Sequence, residues 1–173
     1  MIGTVLGLAE RTGELLYEHL PRCYTAHMEG AVVAQECRFP GNFSRAYAGC
    51  EINLDHTTHP HIDHNDLPGG AAGMVVLSRP GRDTSNFLLP EYAKAIKLLN
   101  GSVLFQAARE EMHCNSAQRF PCRADPSRVS IVFYLHSGLT KPHHSRNCPT
   151  PFSCNCSERG TPGKISDQPS EAR

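Results

Sequence analysis

With 173 residues the chain is long enough for one domain with a real core. Seventeen Lys+Arg balance seventeen Asp+Glu, so bulk charge gives no support to nucleic-acid binding, although a local basic stripe can coexist with neutrality. No apolar run has the length of a transmembrane helix, and Met1–Leu8 lack the basic start and cleavage site of a signal peptide. The expectation is therefore an intracellular, soluble protein with no membrane partner. In that setting eight cysteines suggest thiols or metal ligands before disulfides.

Residues 3 to 20 carry Val5, Leu6, Leu8, Leu15, Leu16 and Leu20 at helical spacing, which predicts a surface helix broken near Gly13. A helical flank over 1–35 would precede a core over 36–142. Phe43 to Leu54 suits a strand, and Gly73–Leu77 a short buried strand. Residues 79 to 86 are polar and turn-forming, and Tyr92 to Leu99 suit one or two helical turns. Ser102–Phe105 predicts a strand entered through the Asn100-Gly101 turn. Val129 to Leu135 is the best strand, with Val129, Ile131 and Phe133 on its apolar side. After Leu139 the composition turns to Pro, Ser, His and Cys, and 143–173 reads as a disordered tail. Several short strands with turns between them predict a mainly β fold with flanking helices, a barrel or jelly roll.

The chemistry lies in three segments: His61-Ile62-Asp63, His113, and Arg128-Val129-Ser130. Two histidines and a carboxylate are the ligand set of a non-haem Fe(II) oxygenase, filling one face of an octahedral ion and leaving the other for co-substrate and oxygen. On an extended segment positions i and i+2 share a face, so His61 and Asp63 can meet one ion, with His113 arriving from a facing strand. An arginine after the distal histidine offers a planar fork of donors for a carboxylate. Arg128 would grip the distal carboxylate of 2-oxoglutarate and Ser130 would add a hydrogen bond. The same polar face continues to Tyr134 and His136.

These segments resemble those of the ten-eleven translocation (TET) methylcytosine dioxygenases, within the TET/J-binding-protein group of Fe(II)/2-oxoglutarate oxygenases. The likeness runs from Glu36 to His143. It is carried by Glu36-Cys37-Arg38, Leu54-Asp55 and His59-Pro60-His61-Ile62-Asp63, then by Gly101–Leu104 and Ala108–His113. It ends in Pro126–His136, the most specific stretch, followed by Leu139 and Lys141-Pro142. The resemblance implies a double-stranded β-helix core, oxidation of 5-methylcytosine in methylated DNA using O2, and a nuclear location. It implies that Tyr134 stacks on a flipped base and His136 bonds its edge, as a base-flipping pocket needs an aromatic face and a polar reader. It also casts Cys37 and His59 as a structural zinc pair, although two ligands do not close a tetrahedral site and Cys23 and Cys50 are candidates on proximity only.

Three departures stand out. The family reads the base with an asparagine just after the His-x-Asp. Here Asn65 comes one residue early and Asp66 holds the expected spacing. Phe87, ahead of Leu89-Pro90-Glu91-Tyr92, replaces a histidine that contacts the co-substrate. The cysteine-rich region and the long insert of the animal enzymes have no counterpart in this sequence. The same oxidation of thymine, RNA or another substrate, and an inactive binding module, are the alternative readings. The Cys148, Cys154, Cys156 cluster with His143 and His144 matches no standard zinc finger. Nothing in the sequence speaks to oligomeric state.

Overall fold

Two helices lead into two antiparallel sheets in this computed structural model, which describes residues 2–36, 44–79, 85–117 and 126–140. Helix α1 (Ile2–His19) buries Ala9, Thr12 and Leu16, a stripe at the three-to-four-residue spacing of one helix face. It does not break at Gly13. A Cβ there would meet Ser44 Oγ at 3.6 Å and Ala46 Cβ at 3.7 Å, ordinary contact distances, so this stretch of the helix lies against residues 44–46. The roughly 1 kcal/mol helix penalty of one glycine is too small to break an 18-residue helix that is packed along one face. Pro21 opens helix α2 (Pro21–Glu36), where its fixed φ suits the first helical position.

The strands are β1 (Gly49–Leu54), β2 (Ala72–Ser78), β3 (Asn86–Leu89), β4 (Lys94–Lys97), β5 (Val103–Gln106), β6 (Cys114–Asn115) and β7 (Arg128–Tyr134). One sheet has the order β1-β7-β2-β5 and the other β4-β3-β6. The expectation of a mainly β, jelly-roll-like core with flanking helices holds.

Two elements differ from the sequence reading. The first strand starts at Gly49, because Ser44 Oγ accepts hydrogen bonds from the amides of Ala46 and Tyr47 (3.2 Å each) and curls residues 44–47 into a bend. Tyr92–Leu99 is not helical. A short 3-10 turn over Pro90–Tyr92 ends at Ala93 in the left-handed region (φ 50°), and Lys94–Lys97 then pairs with Asn86–Leu89. Ala and Lys favour helix locally, but a neighbouring strand with unpaired backbone groups decides the outcome. Cys37, Phe43, residues 80–84, Lys141-Pro142 and the whole 143–173 tail lie outside the described residues.

The four-stranded sheet separates two cores. Register pairs Ile52 with Ile131 and Ile131 with Val75, and pairs Asn53 with Ser130 and Ser130 with Val76, so alternate residues fall on opposite faces. Val75, Ile131 and Phe133 pack with Ala9, Leu16 and Tyr47 on the helix side. On the other side Met74 and Val76 pack with Phe87 and Leu98, joining the two sheets.

His27 locks α2 to the sheet. Its Nδ1 donates to the carbonyl of Ala46 (2.7 Å), and its Nε2 accepts the amide of Ala71 (3.0 Å). Both bonds require the neutral ring, and burial pushes its pKa down despite the two backbone partners. The unfolded chain therefore binds the proton more readily than the folded one. Stability from this group is complete above the ordinary imidazole pKa of 6.5 and is lost as pH falls through the lower folded value. Urea unfolding between pH 7.5 and 5.5 should show a steeper loss of stability in the wild type than in His27→Gln, by up to about 1.4 kcal/mol per pH unit. Parallel curves would remove the role of His27.

Candidate metal centre and adjoining cavities

His61 and His113 are 52 residues apart in the chain, yet they form an isolated antiparallel bridge. Each amide donates to the other's carbonyl, at 3.0 Å and 2.9 Å, and the two rings lie 4.4 Å apart between centroids. Asp63, two residues on, has its amide bonded to the carbonyl of Ala108 (2.8 Å). Arg109 donates to the carbonyls of His64 and Asp66, and the Glu110 carboxylate accepts the Gly69 amide. Residues 108–110 thus clamp the segment that carries His61 and Asp63.

The side chains converge. Asp63 Oδ1 is 3.7 Å from His61 Nε2, and its Oδ2 is 3.5 Å from His113 Nε2. The three ligand atoms lie within 4.8 Å of one another, and this is the one such group among the described residues. The His61 ring reaches the carbonyl of His59 (2.7 Å) through Nδ1, and the His113 ring reaches that of Glu111 (2.9 Å). A carbonyl only accepts, so each Nδ1 carries a proton, and in the neutral ring each Nε2 has its lone pair available to a metal, whereas a protonated His113 donates from Nε2 to Asp63. Phe87 stacks on His113 at 5.7 Å and fixes that ring from the far side.

Charge follows the same arrangement. The hydrogen bond with His113 and the nearby imidazoles hold Asp63 below the usual carboxylate range against burial, so it is ionised at neutral pH. For His113, burial alone would lower the pKa, but the bonds to Asp63 and the Glu111 carbonyl prevail and raise it. Asp66 is pushed up to about 7, first by burial and then by Asp63, with Arg109 and His113 opposing.

Arg128 is 1% exposed. Its Nη1 donates to Ser85 Oγ and its Nη2 to the His56 carbonyl (2.7 Å), while Nε is buried with no partner. Asp55, at a left-handed φ of 44°, accepts the Arg128 amide (2.8 Å) and the Ser127 amide, and so sets the start of β7. Burial lowers the guanidinium pKa and Asp55 opposes the shift. A buried donor left unpaired costs about 1–3 kcal/mol, so Nε is suited to an anion.

Two cavities flank Asp63. One, of about 100 Å³, lies between the sheets and is lined by His61, Asp63, His113, Ser130, Gln106 and Asn115, among others. The other, of about 310 Å³, is lined by Asp63, Asn65, Asp66, Tyr134 and His136, with Glu51 and Val132 common to both. All four residues expected to face a substrate therefore meet in one cavity. Asn65 is exposed, whereas Asp66 is half-buried and bridges His136. Tyr134 lies across Gly49, where a Cβ would stand 2.4 Å from its ring. His136 Nδ1 accepts the Gly138 amide (3.0 Å), so in the neutral ring Nε2 carries the proton.

Ser130 lines the smaller cavity, whereas Arg128 is not among its lining residues and is buried outright. Cys37, the expected zinc partner of His59, lies outside the described residues. His59 itself is exposed, and Cys23 and Cys50 pack against the helix-side core. Sequence reading missed Asp55, Gln106 and Asn115, as well as the stacking role of Phe87. Asn115 stands two residues after His113 on an extended segment, a spacing that could have revealed it.

A family model described as the oxygenase domain of the 2OGFeDO superfamily, Tet_JBP, matches residues 1–137. The chain belongs to this family. Mouse methylcytosine dioxygenase TET1 is 42% identical over 115 residues, covering 65% of this chain and 5% of that protein. Human methylcytosine dioxygenase TET3 is 40% identical over 50 residues, covering 29% of this chain and 3% of that protein. The fruit-fly methylcytosine dioxygenase TET is 44% identical over 50 residues, covering 29% and 2%. The chain thus spans about a twentieth or less of these relatives. Membership of the Tet_JBP family implies Fe(II) and 2-oxoglutarate, and the His61, Asp63, His113 group is chemically suited to that iron.

Fe(II) or Co(II) should bind the wild type with one site, and His113→Ala should weaken binding by more than the roughly 10- to 100-fold that follows loss of a mere supporting group. Affinity should also fall as pH drops below the imidazole range, by up to about tenfold per unit for each proton the metal must displace. An isotherm that His113→Ala leaves unchanged would detach these side chains from the metal.

Proposed function

We propose that the chain is an Fe(II)- and 2-oxoglutarate-dependent dioxygenase that oxidises 5-methylcytosine in DNA, acting in the nucleus. One observation carries this reading: the His61, Asp63, His113 cluster opens beside the cavity in which Tyr134, His136 and Asp66 converge. When bound, iron and the keto acid would supply the activation of dioxygen that hydroxylation of a methyl group requires.

The chain's own residues supply position and charge. His61 and His113 present Nε2 because their Nδ1 protons are held by backbone carbonyls. Asp63 brings a full negative charge to the ion. The unpartnered Nε of Arg128 and the hydroxyl of Ser130 fit the distal carboxylate of the keto acid, with Ser85 and the His56 carbonyl holding the guanidinium in place. Tyr134 offers an aromatic face to an extruded base. Asp66 and Glu51 offer acceptor oxygens, which match the exocyclic amine of a cytosine better than the carbonyl of a thymine. His136 Nε2–H matches an acceptor on the same base edge.

Incubation with methylated duplex DNA, Fe(II), 2-oxoglutarate and air should yield succinate together with oxidised methylcytosine. Arg128→Lys, which replaces the planar fork by a point charge, should raise KM for 2-oxoglutarate by roughly 10- to 150-fold, the equivalent of one charge-assisted hydrogen bond. Equal succinate formation by the wild type and His113→Ala would end the proposal.

A further inference from the structure

Gly49 opens β1 and stands directly opposite Tyr134, the last residue of β7. Glycine weakens a strand, and where it occurs it often marks a close approach by another group. The backbone at Gly49 lies outside the left-handed region, so conformation does not demand glycine here. Space does. A Cβ at this position would come closer than 3.0 Å to Cδ2, Cε2 and Cζ of Tyr134, so the ring rests over the bare backbone of its partner strand.

The row that β1 turns toward the cavities is Gly49, Glu51 and Asn53, opposite Tyr134, Val132 and Ser130. Glu51 and Asn53 line cavities, while Gly49 lines neither and is covered by the ring. Tyr134 lines the larger cavity and not the smaller one. Its ring is therefore held between β1 and the space it shares with Asp66 and His136. We propose that Gly49 is a positioning residue whose missing side chain seats the Tyr134 ring low against the sheet and so keeps the larger cavity open to a planar base. This role rests on the methylcytosine reading given above and adds to it the residue that sets the level of the aromatic wall. A methyl group at position 49 would force the ring out by about 1 Å to reach an ordinary contact. The ring is the far end of a side chain that turns about two bonds, so it gives way before the strand does, and the cavity offers it room.

The test uses the full chain with Fe(II), 2-oxoglutarate and methylated duplex DNA and reads oxidised methylcytosine, with 2-oxoglutarate affinity measured by calorimetry on the Co(II)-loaded protein. Gly49→Ala should lower kcat/KM for the DNA by roughly 10- to 100-fold, the scale of loss from a 1 Å misplacement. It should leave 2-oxoglutarate affinity unchanged, since neither Gly49 nor Tyr134 lines the smaller cavity. Tyr134→Ala alone should lose roughly 5- to 150-fold, the worth of one base–aromatic stack. Adding Gly49→Ala to Tyr134→Ala should cost nothing more, because no ring remains to be displaced. In NMR spectra of Gly49→Ala the Tyr134 ring signals should shift while those of His61 and His113 stay in place. Unchanged DNA turnover or unmoved Tyr134 signals in Gly49→Ala would overturn the proposal. So would an equal further loss in the Tyr134→Ala background, which would reveal damage to β1 itself. A wild-type protein that binds Co(II) and 2-oxoglutarate but oxidises no methylated DNA would overturn the methylcytosine reading, and this inference with it.

Discussion

The paired backbone hydrogen bonds between His61 and His113 are the constraint on which the site depends. They are a single rung of antiparallel ladder, with nothing on either side of it assigned to the same strand pair. Yet that rung places two imidazoles side by side, and the two-residue period of extended chain then brings Asp63 to the same point. The carbonyls two residues upstream of each histidine choose the tautomer. A metal site is thereby assembled from backbone geometry, with few side-chain contacts needed to hold the ligands. The clamp of Ala108, Arg109 and Glu110 keeps the rung from shearing, because it ties the carbonyls and amides of 63–69 to the turn that leads into His113.

The four-stranded sheet turns that local arrangement into a pocket. Its helix-side face is apolar and covered by α1 and α2, and its other face carries Ser130, Val132 and Tyr134 toward the cavities. The helices are thus part of the active architecture. His27 holds α2 to the chain just before β1 and to the residue just before β2, the strands that flank β7. Loosening that lock would disturb β7 from its apolar side and with it every polar residue on the opposite face.

Much of this was legible in the sequence. The alternation of Val129, Ile131 and Phe133 against Arg128, Ser130 and Tyr134 fixed both faces of β7, and the one-residue gap between His61 and Asp63 fixed their common direction. What failed was non-local. Nothing within Lys94–Lys97 says strand, since its partner Asn86–Leu89 lies across a turn made by Ala93 in an unfavourable backbone region. Nothing near Gly13 says that residues 44–46 will press against the helix there. Arg128 shows the same limit. Its face on the strand was readable, but its complete burial depends on Ser85 and His56, which reach it from 43 and 72 residues away.

The division of space around Asp63 follows from size and charge together. Glu51, Asp63 and Val132 belong to both cavities, so a small co-substrate and a larger substrate would approach the same ligand from two sides of one wall. The smaller space suits a short keto acid and is bounded by rigid strands. The larger one is bounded by the loop at 62–66 and by Tyr134 and His136 at the end of β7. In the proposed reaction its acidic lining would repel the phosphates of a nucleic acid and leave room for an extruded base. Asp66, pushed up to about 7 because burial and then Asp63 disfavour its charge, can present either a carboxylate or a neutral carboxyl to an occupant of that cavity. A divalent ion on Asp63 would remove the repulsion between the two carboxylates and favour the charged, accepting form. Loading of the metal centre would in this way set the charge of the neighbouring cavity.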